Sequence, residues 1–427
     1  MALLMRRCTN IFRINPLVRM SSNSAVRLGL SPASCMFDEA VEIKVSGLSP
    51  RQRVELHSEL KDDKGLVFRA WASYEADGRG QLDLGVQASD SGTYTGVDPM
   101  GLFWSMKPDV PHSKFLKRDA SIPQLYSIQA SSGGQVLARE VNERHFMAPG
   151  VRRTPVRDGR IRGTLFTPPG RGPFPAVIDL YTLGGTLCEP RAALLANKGF
   201  MVLALAYYGY QDMPKKVDKL ELEYFEEALT FLQKQPEVKQ TGIGTVSFSK
   251  SGDLALSMAS FLPNIKASVC INVSISNVLF PLHYKDMVIP PLSSKMKRIT
   301  FTDSGIMDIR DVLDDPMAKE NLSTVIPIQR ATCNFLFLVS EDDRNWNSTY
   351  FAEQACNILK AHGKANYEVV SYPKAGHFLE VPYMPQHPSG FHAAVDQVVV
   401  FGGEPKVHAD AQLDAWRRVQ EFFKQHL

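Results

Sequence analysis
The chain has 427 residues, 44% of them apolar and 22% charged, with 48 basic side chains against 45 acidic ones. Such a length allows two or three domains, and so even a charge balance argues against nucleic acid as a partner. No run of 18 or more apolar residues is present, which argues against a transmembrane helix, and the six cysteines (Cys8, Cys35, Cys188, Cys270, Cys333, Cys356) show no CxxC pairing, as expected of reduced thiols with no zinc site and no disulfide frame.

The first segment, residues 1–33, reads as a mitochondrial presequence or a disordered tail. Arg6, Arg7, Arg13, Arg19 and Arg27 all precede the first acid, Asp38, and apolar residues and serines fill the gaps. The expected location is the mitochondrial matrix. A start at Met20 would leave the cytosol or the peroxisome instead, and the C-terminal Gln425-His426-Leu427 matches a peroxisomal Ser-Lys-Leu address only at its last position.

Residues 34–148 read as short antiparallel strands. Val41, Ile43 and Val45 alternate with Glu42 and Lys44; Val54, Leu56 and Leu60 alternate with Glu55 and Glu59; Phe68, Ala70, Ala72 and Tyr74 form a third run. Turn material separates them, Lys61–Gly65 and then Asp77–Gly80. Period-two alternation with charged loops predicts a β-sandwich with one wet face per sheet and no catalytic group.

Residues 149–427 change texture. The apolar runs Ala176–Leu180, Phe200–Ala206, Gly242–Ser247, Ile265–Val273, Cys333–Val339 and Tyr367–Tyr372 predict buried strands. Between and after them come helical patterns at Arg191–Lys198, Glu223–Gln233, the stretch carrying Leu254, Met258 and Leu262, and a last helix carrying Leu413, Trp416, Val419 and Phe423. This alternation predicts an α/β domain with a parallel sheet covered on both faces, whose site lies at the carboxyl ends of the strands.

One strand-to-helix junction, "GTVSFSKSGDLALS", carries serines at 247, 249 and 251. A nucleophile on such a sharp turn needs small neighbours two residues away on each side. Ser249 has Ser247 and Ser251 there. Ser247 would have the β-branched Thr245, and Ser251 the charged Asp253, so Ser249 is the candidate nucleophile. In the order of an α/β-hydrolase, nucleophile, acid and histidine follow one another along the chain. The strand 335–339 leads into Asp342-Asp343, and the strand 369–372 leads into Lys374-Ala375-Gly376-His377. Among ten histidines, His377 alone sits in a glycine-containing loop just past a predicted strand, which makes it the candidate base. Spacing does not separate Asp342 from Asp343 as the acid. The expected oxyanion donors are the backbone N–H of Lys250 and those of the Leu183-Gly184-Gly185 loop. The segment Leu279–Pro291, with Phe280, Leu282 and Met287, is a candidate wall for an apolar substrate or plain packing.

From residue 34 onward the sequence resembles the type I acyl-CoA thioesterases and the related bile acid-CoA:amino acid N-acyltransferase. The stretches that carry the resemblance include "VDPMGLFWSMKP", "GVRRTPVRDGRIRGTLFTPPG", "SFSKSGDLALSMASFL", "FLFLVSEDDRNWNS" and "YPKAGHFLEVPY". The resemblance implies an N-terminal β-sandwich followed by an α/β-hydrolase domain, and a Ser249–Asp343–His377 triad with Asp342 structural. It also implies hydrolysis of long-chain acyl-CoA, with CoA entering as part of the substrate and with no metal or other cofactor. The alternative is transfer of the acyl group to an amino acid. In the N-acyltransferase the nucleophile is cysteine, whereas position 249 is serine. The thioesterases usually carry glycine where this chain has Ser247 and Ser251. The oligomeric state stays open, a monomer included.

Overall fold
A computed structural model describes residues 26–181 and 187–427. The N-terminal domain is built from β1 (Arg27–Ser31), β2 (Ser34–Met36), β3 (Glu42–Ser46), β4 (Arg53–Lys61), β5 (Val67–Glu75), β6 (Gln124–Ser132) and β7 (Gln135–His145), with several two-residue strands between them. One small sheet joins β1, β3 and Leu82–Asp83; the larger runs β2-β7-β6-β4-β5 and ends on Ser91–Gly92. In β4 and β5 exposure alternates residue by residue. That is the signature of a strand with one face in a core and one in water.

The first strand corrects the expected end of the leader at residue 33. Arg27–Ser31 pairs antiparallel with Glu42–Ser46, and Leu28 is buried. A lack of acidic residues is compatible with a strand, and here alternate leucines at 28 and 30 turn the end of the basic segment into sheet.

The second domain is built on an eight-stranded sheet, with two small sheets of three and four short strands beside it. The large sheet contains β8 (Arg152–Asp158), β9 (Ile161–Thr167), β10 (Phe174–Leu180), β11 (Met201–Ala206), β12 (Val238–Phe248), β13 (Ile265–Ile271), β14 (Asn334–Ser340) and β15 (Tyr367–Tyr372), in the order β8-β9-β11-β10-β12-β13-β14-β15. From β11 to β15 neighbouring strands are parallel, but the β8–β9 hairpin and the β9–β11 pair are antiparallel. The sheet is therefore mixed, not wholly parallel as the strand–helix alternation predicted, because no helix separates β8 from β9. The helices α1 (Pro190–Asn197) and α5 (Pro405–His426) cover one face, and α2 (Leu222–Gln233), α3 (Ser251–Phe261) and α4 (Ser348–Ala361) cover the other.

The two domains share a core. A single apolar cluster contains Phe37, Phe68 and Phe103 from the first domain and Leu194, Val202 and Phe423 from the second. Polar ties cross the same boundary: the buried Asp38 carboxylate accepts from Trp416 Nε1 at 2.8 Å and pairs with Lys198 Nζ at 2.8 Å. The sandwich is thus held against the face covered by α1 and α5, and its segments at Lys64–Leu66 and 112–118 reach the cavity that Ser249 and His377 line. Among the described residues no helix is long and apolar enough to cross a membrane.

Candidate active site
Ser249 follows β12 at the turn into α3 and has φ +59°. A non-glycine residue in this left-handed region stores about 1 kcal/mol or more, so the surrounding bonds must hold it there. The Ser249 N–H donates to Ile271 O at 3.0 Å, and its carbonyl accepts from Gly252 N–H at 2.8 Å. Gly252 is required for this approach: a Cβ there would lie 2.1 Å from Val273 Cγ1. The two serines that stand where thioesterases usually have glycine are fully buried and bonded. Ser247 Oγ donates to Val269 O at 3.1 Å. Ser251 Oγ donates to Leu180 O at 2.7 Å and accepts from Phe248 N–H at 3.0 Å, bracing the turn against the end of β10.

His377 lies 2.8 Å (Nε2) from Ser249 Oγ and 2.7 Å (Nδ1) from Asp343 Oδ2. A carboxylate only accepts, so Nδ1 carries the proton and Nε2 is left to accept from the serine hydroxyl. Asp343 is almost fully buried; its other bonds come from Ser348 Oγ at 2.6 Å and from the N–H groups of Asn345 at 2.8 Å and Trp346 at 3.3 Å. Asp342 points elsewhere: it accepts from Arg344 Nε at 2.7 Å and Gly403 N–H at 2.9 Å. Of the two aspartates that spacing left open, only Asp343 reaches His377.

Two supporting residues carry no motif and were missed in the sequence. Asn272, at the exit of β13, donates from Nδ2 to His377 O at 2.7 Å, accepts at Oδ1 from Ser340 N–H at 2.7 Å, and takes Trp346 Nε1 on its own carbonyl at 3.1 Å. It ties the acid loop to the histidine loop. His408, on α5, accepts from Gly376 N–H at 3.0 Å and bonds Phe378 O at 3.0 Å, so it holds both sides of His377. Burial lowers the His408 pKa to about 4, which keeps the ring neutral and Nδ1 free to accept. The signal that could have found either residue is register: Asn272 ends a buried strand, and His408 lies on the apolar face of the last helix.

Lys250 follows the serine. Its side chain is buried and bonded to Asp253 at 2.6 and 2.8 Å, and Asp253 also accepts Val278 N–H at 2.9 Å. Burial pulls the lysine pKa down and pushes the aspartate up, each offset by the other's charge. The loop residues Leu183, Gly184 and Gly185, expected to supply the second oxyanion donor, lie outside the described residues. Beside them Tyr181 hydroxyl donates to Glu380, whose pKa burial raises.

Ser249 and His377 open into a cavity of about 550 Å³ between the two domains. Its apolar wall comes from Val278, Leu279, Met296, Ile309, Val312 and Leu313. Of the expected wall 279–291 only Leu279 reaches the cavity; Leu282–Tyr284 and Met287–Ile289 form a hairpin, and Phe280 and Met287 pack on the domain core. Among the described residues no cluster of three metal-ligating side chains occurs.

Comparison with known proteins adds the lineage. Residues 38–158 match the family described as acyl-CoA thioester hydrolase/BAAT N-terminal region, and residues 220–427 match BAAT/acyl-CoA thioester hydrolase C terminal. Acyl-coenzyme A thioesterase 5 of Mus musculus is 49% identical over 399 residues, which is 92% of this chain and 94% of that one. The mitochondrial acyl-coenzyme A thioesterase 2 of Homo sapiens is 46% identical over 421 residues, covering 97% and 87%. Among solved structures, an esterase from Pyrococcus furiosus overlays with a TM-score of 0.40 at 14% identity, covering 65% of this chain and 91% of that one. With two relatives near half identity along almost its whole length, the chain belongs to the acyl-CoA thioester hydrolase/BAAT family.

Proposed function
We propose that this chain is an acyl-CoA thioesterase that cleaves long-chain fatty acyl-CoA to free fatty acid and CoA through an acyl-enzyme on Ser249. The observation that carries this reading is the hydrogen-bonded line Ser249–His377–Asp343, at 2.8 and 2.7 Å, on a strained turn at the floor of an apolar cavity. Ser249 Oγ attacks the thioester carbonyl while His377 Nε2 takes its proton, and Asp343 stabilises the imidazolium. The oxyanion is held by Lys250 N–H near the positive end of α3, the second donor being expected from the Leu183–Gly185 loop, which lies outside the described residues. His377 returns the proton to the departing CoA sulfur, then activates the water that splits the acyl-enzyme. The chemistry needs no metal and no redox cofactor.

Serine at 249 favours hydrolysis over transfer to an amino acid. A serine acyl-enzyme is an oxyester suited to activated water, whereas a cysteine one is a thioester that amines attack readily. The test is thiol release from palmitoyl-CoA by the full-length protein and by Ser249→Ala, with and without glycine or taurine. Release that disappears in the variant, with free palmitate as product, is the expected result. A conjugate as the main product would make the chain a transferase, and no turnover across a range of chain lengths would end the enzyme reading.

The acid-free start, residues 1–26, is proposed to direct the chain to mitochondria. The name of the human relative says mitochondrial and that of the mouse relative does not. A fluorescent reporter carrying residues 1–33 is expected in the matrix; a diffuse cytosolic signal would overturn this.

A further inference from the structure
The cavity has a second wall, and it belongs to the N-terminal domain. The segment 112–118 and, from the preceding turn, Lys64 and Leu66 line it together with the apolar residues of the hydrolase domain. This lip is fixed by its own acids. Asp62 accepts the N–H groups of Lys64 and Leu66, both at 2.8 Å, and of Leu116 at 3.2 Å. Asp63 accepts Arg118 N–H at 2.8 Å and pairs with the buried Lys117 at 2.9 Å. The other carboxylates near the cavity are engaged too: Glu189 with Arg153, Asp179 with Arg191, and Glu380 with Tyr181. Against this, the side chains of Lys64, Lys114 and Arg118 form no ion pair among the described residues, although all three line the cavity. Lys64 and Arg118 stand exposed at the rim. Lys114 lies deeper, its ammonium 5.2 and 5.4 Å from the ring centres of Phe378 and Phe401.

Lys64 and Arg118, two exposed cations on a braced lip, form a standing positive field at the cavity mouth. Behind them burial and the neighbouring charge of Lys64 lower the Lys114 pKa to about 8, so an arriving anion would also favour its charged form. We propose that Lys64 and Arg118, with Lys114 behind them, form an anion subsite through which the N-terminal domain holds the phosphate groups of the CoA moiety. This rests on the thioesterase reading and deepens it. CoA carries its diphosphate and its 3′-phosphate at the far end of the flexible pantetheine arm, so the reacting thioester can sit at Ser249 while the phosphates remain at the rim. Arginine and lysine suit the two phosphate sites differently, one as a planar fork of donors and the other as a point charge. The assignment also gives the sandwich a task in the reaction, although it contributes no reacting group.

The experiment compares the wild type with a Lys64→Ala/Arg118→Ala double variant on two thioesters, palmitoyl-CoA below its micelle concentration and S-palmitoyl-N-acetylcysteamine, which lacks all phosphates. Thermal melting confirms that the variant is folded. The expected result is a KM for palmitoyl-CoA raised about tenfold with kcat kept, and no change with the phosphate-free thioester. The rise of the wild-type KM with added salt should flatten in the variant. Equal losses on both thioesters, or none on either, would overturn the subsite. If the wild type cleaves neither thioester, the thioesterase reading has failed separately. Calorimetric binding of free CoA then decides the subsite: binding weakened in the double variant supports it, and unchanged or absent binding overturns it.

Discussion
Charge is treated in opposite ways on the sandwich hairpin β4–β5 and under the hydrolase site. On β4 and β5 the charged residues alternate into water and pair across the surface, as Arg69 does with Glu59 at 3.0 Å, both side chains being half exposed or nearly so. Under the hydrolase site charges are taken inside and matched one to one: Lys250 with Asp253, Arg191 with Asp179, His377 with Asp343. A surface pair is worth little, because water already solvates both ions. A buried pair has given up that solvation, so removing one partner leaves the other stranded. The comparison teaches where substitutions will be felt, and the adjacent aspartates at 342 and 343 allow a test between neighbours.

Asp343→Asn should give the largest effect. It keeps the size of the side chain but loses the carboxylate that fixes the His377 tautomer, and kcat should fall by about four orders of magnitude. Asp342→Asn disturbs only the bonds to Arg344 and Gly403, and kcat should stay within about tenfold of the wild type. Thiol-release kinetics on the two variants measure both; comparable losses would mean that the acid has been wrongly chosen. Next in size is Lys250→Met. It leaves the Asp253 carboxylate buried with Val278 N–H as its remaining partner outside α3, and should cost about 3–5 kcal/mol in a urea unfolding experiment. Adding Asp253→Leu should recover much of that loss, because the stranded charge is gone. A double variant no better than the single one would show that the pair does more than neutralise itself.

The same contrast explains what could be read from the sequence. Strands with both faces buried, such as Met201–Ala206, stand out as unbroken apolar runs, and the turns after them limit where Ser249, Asp343 and His377 can fall. Small neighbours then pick out Ser249 and chain order picks out His377, and the fold brings the two within 2.8 Å. Chain order does not suffice for the acid, since Asp342 and Asp343 differ only in the direction the loop gives them. The supports Asn272 and His408 stayed hidden because their roles are made by contacts across 105 and 32 residues of chain, which no local pattern records. The cationic lip stayed hidden for a related reason. Residues 112–118 have no periodicity, and Lys117 looks like Lys114 until Asp63 is seen to neutralise one and not the other. The strand at Arg27–Ser31 was masked by composition, the arginine-rich start outweighing two alternate leucines.

His408 sharpens the comparison in a third way, through pH. It is buried, and desolvation lowers its pKa from 6.5 to about 4 despite the bond to Phe378 O, which favours the charged form. An unfolded chain therefore takes up this proton at a higher pH than the folded one. The stabilisation by the neutral ring is complete above about pH 6.5 and is lost as pH falls through 4, an effect on the order of 3 kcal/mol at most. His387, also buried and lowered to about 3, acts with the same sign. Melting temperatures of the wild type should fall steadily from pH 6.5 to 4.5, and His408→Gln should be less stable at pH 7 but show a shallower slope. An unchanged slope in the variant would place the acid sensitivity elsewhere.

The smallest effect is expected on the sandwich, and it is the one that can break the comparison. Arg53 is exposed at the start of β4 and pairs with Asp90 and Glu75, whose side chains are also open to water. Three charges in contact look on paper as substantial as Lys250 with Asp253. If solvation decides, Arg53→Ala should change unfolding stability by less than about 1 kcal/mol, and 0.5 M salt should erase even that. If instead the sandwich pair costs as much as the buried one, charge matching at the surface must be holding β4 against the loop carrying Asp90. The Lys64 and Arg118 variants would then need their stability measured before their KM is interpreted, because the lip they stand on follows from the far end of the same strand.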